Sequence, residues 1–184
     1  MKFIETELTG MFLIEPQIFG DERGYFFESY NEKEFQKHIG DVRFIQDNES
    51  KSKYGVIRGL HFQKPPYDQA KLLRVVKGAV LDVCVDLRIG SPTYGKHYSV
   101  ELTAENHLQL FVPRGFAHGF SVLTEEVVFQ YKCDNFYAPQ AEGSIMWNDK
   151  DLNIDWQIPT DCAIISKKDQ ENSSFRALES PFVY

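Results

Sequence analysis

Apolar and polar residues alternate along most of the chain, and glycine, proline, serine or charged residues interrupt the alternation at short intervals. A period of two residues is typical of β-strands that bury one face. Residues 3–18 alternate around Thr9-Gly10, which predicts two short strands or a hairpin. Beyond residue 41 the pattern predicts further strands at 42–48, 54–62, 70–77, 79–87, 96–102, 107–113, 117–124 and 126–133.

One segment departs from this alternation and carries the signals of a helix. Asn31 is a suitable N-cap, Glu34 lies where it completes a capping box, and Gly40 suits the position just after a helix end. We therefore predict a helix over residues 32–39. Many short strands with one or two short helices favour an all-β fold, a sandwich or barrel of the jelly-roll kind.

The composition agrees with a packed β fold. The chain has 184 residues, of which 42% are apolar and 14% aromatic, which suits one well-buried core. No repeat or linker divides it, so a single domain over residues 1–184 is expected. The net charge of −7 argues against nucleic-acid binding, which needs a broad basic surface. A small phosphorylated ligand needs only a few local arginines and lysines, and is compatible with this charge.

The cysteines and the hydropathy of the chain bear on its location. Cys84, Cys133 and Cys162 are widely spaced and odd in number, so neither a disulfide framework nor a zinc cluster is indicated. No segment approaches the roughly 20 apolar residues of a membrane-spanning helix. Residues 1–10 do not resemble an export signal. We expect a cytoplasmic protein with reduced thiols and no membrane partner.

Chemically able side chains concentrate around residue 60. Arg58 and His61 lie on one predicted strand, and Lys71 opens the next strand beyond Pro65-Pro66. A single histidine in an apolar strand is most often a hydrogen-bonded core residue. Two nearby cations, however, favour a neutral imidazole, which is the form that a general base needs.

Two later residues extend this set of candidates. Tyr131 lies in a predicted strand, where tyrosines are usually packing residues. Asp169 follows Ile165 in the segment ISKKD. It either ends a strand or supplies a carboxylate that orients His61, as in pairs of a general base and its orienting acid.

Residues 113–118 have the form P-x-G-x-x-H, which resembles the second metal-binding motif of cupins, a jelly-roll superfamily. The first cupin motif needs H-x-H followed by a glutamate, but the matching segment reads His61-Phe62-Gln63. A second imidazole is missing there, and Lys71 adds positive charge. Divalent metals prefer neutral or anionic ligands, so we expect a cupin-like jelly-roll barrel with no metal and no cofactor.

Longer blocks resemble one family, the dTDP-4-dehydrorhamnose 3,5-epimerases of dTDP-L-rhamnose biosynthesis. The blocks, which run from about residue 20 to residue 170, are GDERGYFFESYN, QDNES, VIRGLHFQ, AKLLRVVKGAVLDVCVDLR, VPRGFAHGF and SKKD. The resemblance implies a cofactor-independent epimerase. Its substrate would be dTDP-4-dehydro-6-deoxy-D-glucose, and inversion at C3 and C5 would give dTDP-4-dehydro-L-rhamnose.

The chemistry of this reaction gives roles to the candidate residues. A ketone at C4 acidifies the C–H bonds at C3 and C5, so a base removes either proton if the enolate oxygen is stabilised. The resemblance implies that His61 is this base, oriented by Asp169, and that Tyr131 returns a proton from the opposite face. It also implies that Lys71 stabilises the enolate and that His118 contacts the sugar.

The resemblance further implies how the nucleotide is bound. The implied substrate-binding residues are Arg23, Phe26, Glu28, Gln46, Asp47, Asn48, Arg58, His118, Tyr137, Glu142 and Lys168. Guanidinium groups suit a diphosphate because they donate paired hydrogen bonds, and Phe26 and Tyr137 are aromatic surfaces for the thymine. The family works as a homodimer, which implies that Arg23 to Glu28 act in the neighbouring subunit's site.

Three alternatives remain open. The motifs do not separate double inversion from a single-centre epimerase or a 3,4-ketoisomerase on a related nucleotide-linked 4-keto sugar. A metal-dependent cupin would use His61, Gln63 and His118 as ligands. A catalytically silent nucleotide-sugar binding module is disfavoured, because it has no need for a base and an acid on opposite faces.

Overall fold

The computed structural model describes residues 1–184, which form sixteen strands and two α-helices. The helices are α1 (Glu32–His38) and α2 (Lys167–Gln170). The strands are β1 (Lys2–Glu5), β2 (Phe12–Glu15), β3 (Phe19–Asp21), β4 (Gly24–Phe26), β5 (Gln46–Lys53), β6 (Val56–Gln63), β7 (Lys71–Lys77), β8 (Ala79–Asp86), β9 (Arg88–Ile89), β10 (His97–Thr103), β11 (Gln109–Val112), β12 (Phe116–Val122), β13 (Glu126–Cys133), β14 (Glu142–Ser144), β15 (Ile164–Ile165) and β16 (Phe182–Val183). Neither helix has the length and apolar character that crossing a membrane requires.

Two sheets face each other. Sheet I has the strand order β1-β2-β11-β7-β13-β5, and sheet II has the order β10-β8-β12-β6-β14, with β15 added in parallel beside β6. Neighbouring strands such as β12 and β6 are far apart in the chain, as is typical of jelly rolls. The all-β, cupin-like jelly-roll fold predicted from the sequence is confirmed.

The main core lies between the two sheets. Its buried residues come from both, for example Leu73 and Phe129 from sheet I and Val80 and Phe120 from sheet II. Alternate residues of each strand point inward, so the period-two pattern of the sequence supplies this core. Burying each of these large side chains contributes about 1.5–3 kcal/mol, which makes the sandwich a firm support for polar side chains in its interior.

Helix α1 covers the outer face of sheet I. Asn31 caps it as predicted, since its side-chain oxygen accepts a hydrogen bond from the Lys33 backbone N–H at 3.1 Å. The capping box is wrong, because the Glu34 carboxylate lies 3.9 Å from His38 Nε2 instead. Phe35 is fully buried against sheet I, in a cluster that includes Phe111.

The strand predicted at 42–48 is misplaced. Strand β5 begins at Gln46 and pairs with β13 along eight residues. Val42 and Phe44 have the alternation of a strand, but they belong to a loop and pack beside the α1 cluster. The alternation at residues 42–44 therefore reflects packing against the cluster around α1 and not pairing in a sheet.

The tail beyond residue 137 covers the outer face of sheet II. Trp156, Ile145 and Leu152 are buried against residues of β6 and β8. Strand β15 then lies beside the first half of β6, and α2 follows it directly. The sequence pattern predicted neither β14, β15 nor α2, because each is too short to show a period. Their position beside β6 brings residues 142–170 next to the strand that carries Arg58 and His61.

Candidate active site

Polar side chains from both sheets meet in two adjoining cavities. The larger, of about 460 Å³, is lined by side chains that include His61, His118, Lys71 and Tyr131. The smaller, of about 330 Å³, shares His61, Lys71 and Tyr131 with it. His61 and His118 belong to sheet II, whereas Lys71 and Tyr131 belong to sheet I. A molecule in this space therefore meets different chemistry on its two sides.

A β-bulge in β6 places Arg58 and His61 on the same cavity. Strict alternation would send residues three apart to opposite faces. The pairing with β12 shifts, so that His118 opposes His61 while Phe120 opposes Arg58. Gly59 lies in this bulge with φ +135°, and a Cβ there would lie 2.5 Å from the Gly119 Cα. Glycine is therefore required, and the extra residue redirects the arginine, as bulges beside active sites commonly do.

His61 is paired with Asp169, although 108 residues separate them. His61 Nε2 lies 2.5 Å from Asp169 Oδ1. Asp169 is in α2, whose N-cap Ser166 accepts a hydrogen bond from the Asp169 backbone N–H at 3.1 Å. Burial alone raises the pKa of the Asp169 carboxyl, but the hydrogen bond and charge of His61, together with hydrogen bonds from Ser166 and Asn172, leave the pKa below its usual value. The carboxylate thus stays ionised and fixes the imidazole.

A second histidine–aspartate pair lies beside the first, and the sequence analysis missed its acid. His118 Nε2 lies 2.9 Å from Asp82 Oδ2. Asp82 is fully buried on β8, between Val80 and Cys84 in sequence. Both neighbours belong to the core between the sheets. A charged residue on an inward-facing position needs a partner, and this requirement was the signal available in the sequence.

Sheet I supplies a cation and a phenol. Lys71 takes part in none of the ion pairs of the chain, so its ammonium is free to meet a negative charge in the cavity. Burial raises the pKa of the Tyr131 phenol above its usual value, while the positive charge of Arg58 opposes that shift. Tyr131 is therefore a protonated phenol at neutral pH, which is the form of a proton donor.

Three side chains join a segment that borders the smaller cavity to one that borders the larger cavity. We call these side chains, Tyr137, Glu142 and Lys168, the rim network. The Tyr137 hydroxyl donates a hydrogen bond to Glu142 Oε1 at 3.0 Å, and Lys168 Nζ donates to Glu142 Oε2. The hydrogen bond from Lys168 lowers the pKa of the Glu142 carboxyl. Lys168 also precedes Asp169, so this network ties α2 to the loop after β13.

Strand β5 divides its predicted residues between two faces. Gln46 and Asn48 line the smaller cavity, and Gln46 Nε2 donates to Asn48 Oδ1 at 3.0 Å. Asp47 points to the opposite face, where Lys132 Nζ donates to its carboxylate at 2.9 Å. Within one chain Asp47 therefore does not line this cavity, because successive residues of a strand face opposite ways, and its role in substrate binding stays a prediction.

The hairpin of β3 and β4 lies apart from both cavities. Arg23 forms an ion pair with Asp21, and Glu28 accepts a hydrogen bond from Asn31. Phe26 is 67% exposed. None of the predicted residues Arg23, Phe26 and Glu28 lines a cavity with His61 within one chain. Their predicted place is the site of a neighbouring subunit, and the single chain leaves that prediction open.

The donors for a metal-dependent cupin do not converge. Both hydrogen-bonding ends of the Gln63 amide contact backbone groups: its Nε2 donates to the Tyr67 carbonyl at 2.6 Å, and its Oε1 accepts from the Ala138 N–H at 2.7 Å. No group of three or more histidine, cysteine, aspartate or glutamate side chains is arranged to hold a metal ion. Burial raises the pKa of Cys133 to about 11, so this thiol beside Lys71 is protonated and a poor ligand.

Known proteins share both the sequence and the fold. A family model described as dTDP-4-dehydrorhamnose 3,5-epimerase matches residues 5–177. The dTDP-4-dehydrorhamnose 3,5-epimerase of Shigella flexneri is 51% identical over 176 residues, which cover 95% of this chain and 96% of the relative. The crystal structure of dTDP-4-dehydrorhamnose 3,5-epimerase from Elizabethkingia anophelis is 56% identical, with a TM-score of 0.93, over 96% of this chain and 97% of that one.

A third relative carries a ligand. The crystal structure of dTDP-6-deoxy-D-glucose-3,5-epimerase from Legionella pneumophila, in complex with dTDP-4-keto-L-rhamnose, is 42% identical, with a TM-score of 0.95, and covers 100% of this chain and 98% of that one. The resemblance of the sequence blocks is thereby confirmed over nearly the whole length. The chain belongs to the dTDP-4-dehydrorhamnose 3,5-epimerase family.

Proposed function

We propose that this protein is a cofactor-independent dTDP-4-dehydrorhamnose 3,5-epimerase, which inverts C3 and C5 of dTDP-4-dehydro-6-deoxy-D-glucose. One observation carries the proposal. His61 on sheet II and Tyr131 on sheet I border the same cavity, so a sugar ring held there presents one face to an imidazole and the other to a phenol. The ligand of the Legionella relative, dTDP-4-keto-L-rhamnose, supports the substrate class.

His61 removes the proton. With its Nε2–H donated to Asp169, Nδ1 keeps a lone pair that accepts the proton from C3 or C5. The C–H electron pair moves into an enolate whose oxygen, derived from the C4 ketone, carries the negative charge. Asp169 stabilises the imidazolium that forms, as the acid of a histidine–aspartate pair does in other enzymes.

Lys71 and Tyr131 complete the step. The unpaired Lys71 ammonium stabilises the enolate oxygen, where the charge develops. The Tyr131 hydroxyl then donates its proton to the carbon from the opposite face, and the C4 ketone forms again. Exchange with water returns the proton to the phenol and removes one from His61. The inverted carbon therefore carries a proton that comes from the solvent.

The nucleotide extends from the larger cavity, which Arg58 and Lys168 line, into the smaller cavity and its rim. Arg58 and Lys168 bind the diphosphate, Gln46 and Asn48 contact polar groups of the ligand, and Tyr137 stacks on the thymine. This assignment is supported by the common cavity of Gln46, Asn48 and Tyr137 with His61. Glu142 sets the position of Lys168 and Tyr137 through the rim network. His118 contacts the sugar.

The protein acts in the cytoplasm as a homodimer, as one domain per chain. The hairpin of β3 and β4 supports the homodimer, because Phe19, Tyr25 and Phe26 are each more than half exposed on it and suit an interface. We expect Arg23, Phe26 and Glu28 to reach the partner's site. Mixing an inactive Arg23→Ala variant with an inactive His61→Ala variant then restores part of the activity, because one site of each mixed dimer is intact. If the mixture stayed inactive, the hairpin would not contribute to the partner's site.

The reaction is identified in deuterated water. Wild-type protein with dTDP-4-keto-6-deoxyglucose is expected to incorporate deuterium at both C3 and C5 and to yield the L-rhamno product by NMR, and His61→Ala to give neither. Deuterium and inversion at one carbon only would indicate a single-centre epimerase. A product whose ketone has moved from C4 to C3 would indicate a 3,4-ketoisomerase. Unchanged exchange in His61→Ala would contradict the assignment of the base.

A further inference from the structure

Gln63 is a buried residue whose amide is fully used. It is 7% exposed at the end of β6, two residues from His61. Its Nε2 donates to the Tyr67 carbonyl at 2.6 Å and to the Phe136 carbonyl at 3.2 Å, and its Oε1 accepts from the Ala138 N–H at 2.7 Å. One side chain thus joins two loops, the one after β6 and the one after β13.

Two of these bonds flank Tyr137 on either side. Gln46 adds a third constraint, since its Oε1 accepts a hydrogen bond from the Tyr137 backbone N–H at 3.1 Å. Tyr137 as a whole is 56% exposed, so apolar packing contributes little to its position. Polar bonds to the backbone at 136, 137 and 138 therefore fix the segment that carries this side chain, while the hydroxyl at its far end is bonded to Glu142.

We propose that Gln63 is a positioning residue for the nucleotide: it holds the segment 136–138 so that Tyr137 meets the base at the edge of the cavity. The inference rests on the proposed function, which makes Tyr137 the surface for the thymine. Gln63 itself touches neither the reacting carbons nor the proton path. Its loss therefore weakens binding of the nucleotide equally in the ground and transition states.

The loop and the ligand are measured separately in Gln63→Met, which keeps the size of the side chain and removes all three bonds. Backbone amide exchange of the free protein is expected to rise in residues 134–142. KM for the sugar nucleotide and Kd for dTDP are expected to rise about tenfold, with kcat within about twofold of wild type.

Gln130→Met is the matched control. This half-buried glutamine also has both ends bonded, to Arg74 and to Glu49, but it lines neither cavity with His61. It is expected to leave KM and dTDP binding unchanged. Unchanged amide exchange in Gln63→Met, or faster exchange with unchanged dTDP binding, would overturn the positioning role. Wild-type protein that fails to bind dTDP would instead overturn the proposed function, and amide exchange alone would then decide whether Gln63 holds the loop.

Discussion

Two histidine–aspartate pairs stand side by side in sheet II, and they differ in how they are held. His61 and His118 oppose each other on neighbouring strands, and each presents Nε2 to a carboxylate. The His61 side chain is 41% exposed, whereas that of His118 is 10% exposed. Asp169 comes from a short helix in the tail, whereas Asp82 is part of the central strand β8.

We expect this difference in exposure to separate a reactive pair, His61 with Asp169, from a supporting pair, His118 with Asp82. An imidazole that faces open space has room for a substrate and takes up or releases a proton without disturbing the core. An imidazole enclosed with a fully buried acid holds a fixed direction, which suits contact with the sugar. The same two side chains therefore serve chemistry or position according to their exposure. Removing each acid in turn tests this division.

Loss of Asp169 is expected to have the larger effect on catalysis. Asp169→Ala leaves His61 without the group that fixes its tautomer, and kcat is expected to fall by about 10²- to 10³-fold. The free energy of unfolding changes less than in Asp82→Ala, because water reaches the half-exposed imidazole. Steady-state kinetics and urea unfolding measure both. A kcat within a few fold of wild type would remove Asp169 from the mechanism.

Loss of Asp82 is expected to lower the free energy of unfolding strongly and kcat only modestly. Asp82→Ala leaves a buried imidazole without its partner, and the free energy of unfolding is expected to fall by about 1–3 kcal/mol. We expect kcat to fall by less than about tenfold, because the proton path through His61 and Tyr131 is intact. Kinetics below the lowered melting temperature separate the two effects. A loss of kcat as large as in Asp169→Ala would show that both pairs take part in proton transfer.

The smallest expected effect is on the pH dependence of stability. The pKa of Asp169 is lower in the folded protein than in the unfolded chain. Its contribution to stability is therefore present above about pH 4, its unfolded pKa, and is lost as the pH falls through the folded value. Wild type is expected to lose stability more steeply than Asp169→Ala between pH 4 and lower values in denaturant titrations. Equal slopes would contradict the pairing.

These pairs also show what the sequence can predict. The alternation of apolar and polar residues predicted most of the strands of both sheets, and the motif around His118 indicated the jelly roll. The same alternation, applied to β8, places Asp82 on the inward face with Val80 and Cys84. This buried acid could therefore have been predicted from the sequence. Applied to β5, it also places Asp47 on the opposite face from Gln46 and Asn48, as the structure has it.

Other features lay beyond any local pattern. The bulge at Gly59 that brings Arg58 to His61 depends on the close approach of β12, which the sequence does not record. The contact between His61 and Asp169 depends on how β15 docks beside β6. Gln63 matched the place of a metal ligand, yet it joins two loops whose meeting is decided by the sheets. Contacts of this kind follow from the tertiary structure alone.

The central claim is that base and acid act from opposite sides of the sugar, and Tyr131→Phe in deuterated water tests it most directly. Without the phenol, His61 still removes the proton and returns a solvent deuteron to the same face. We expect NMR to show deuterium at the reacting carbon with its original configuration retained, and little inverted product. Inversion at the wild-type rate, or loss of exchange together with inversion, would contradict it.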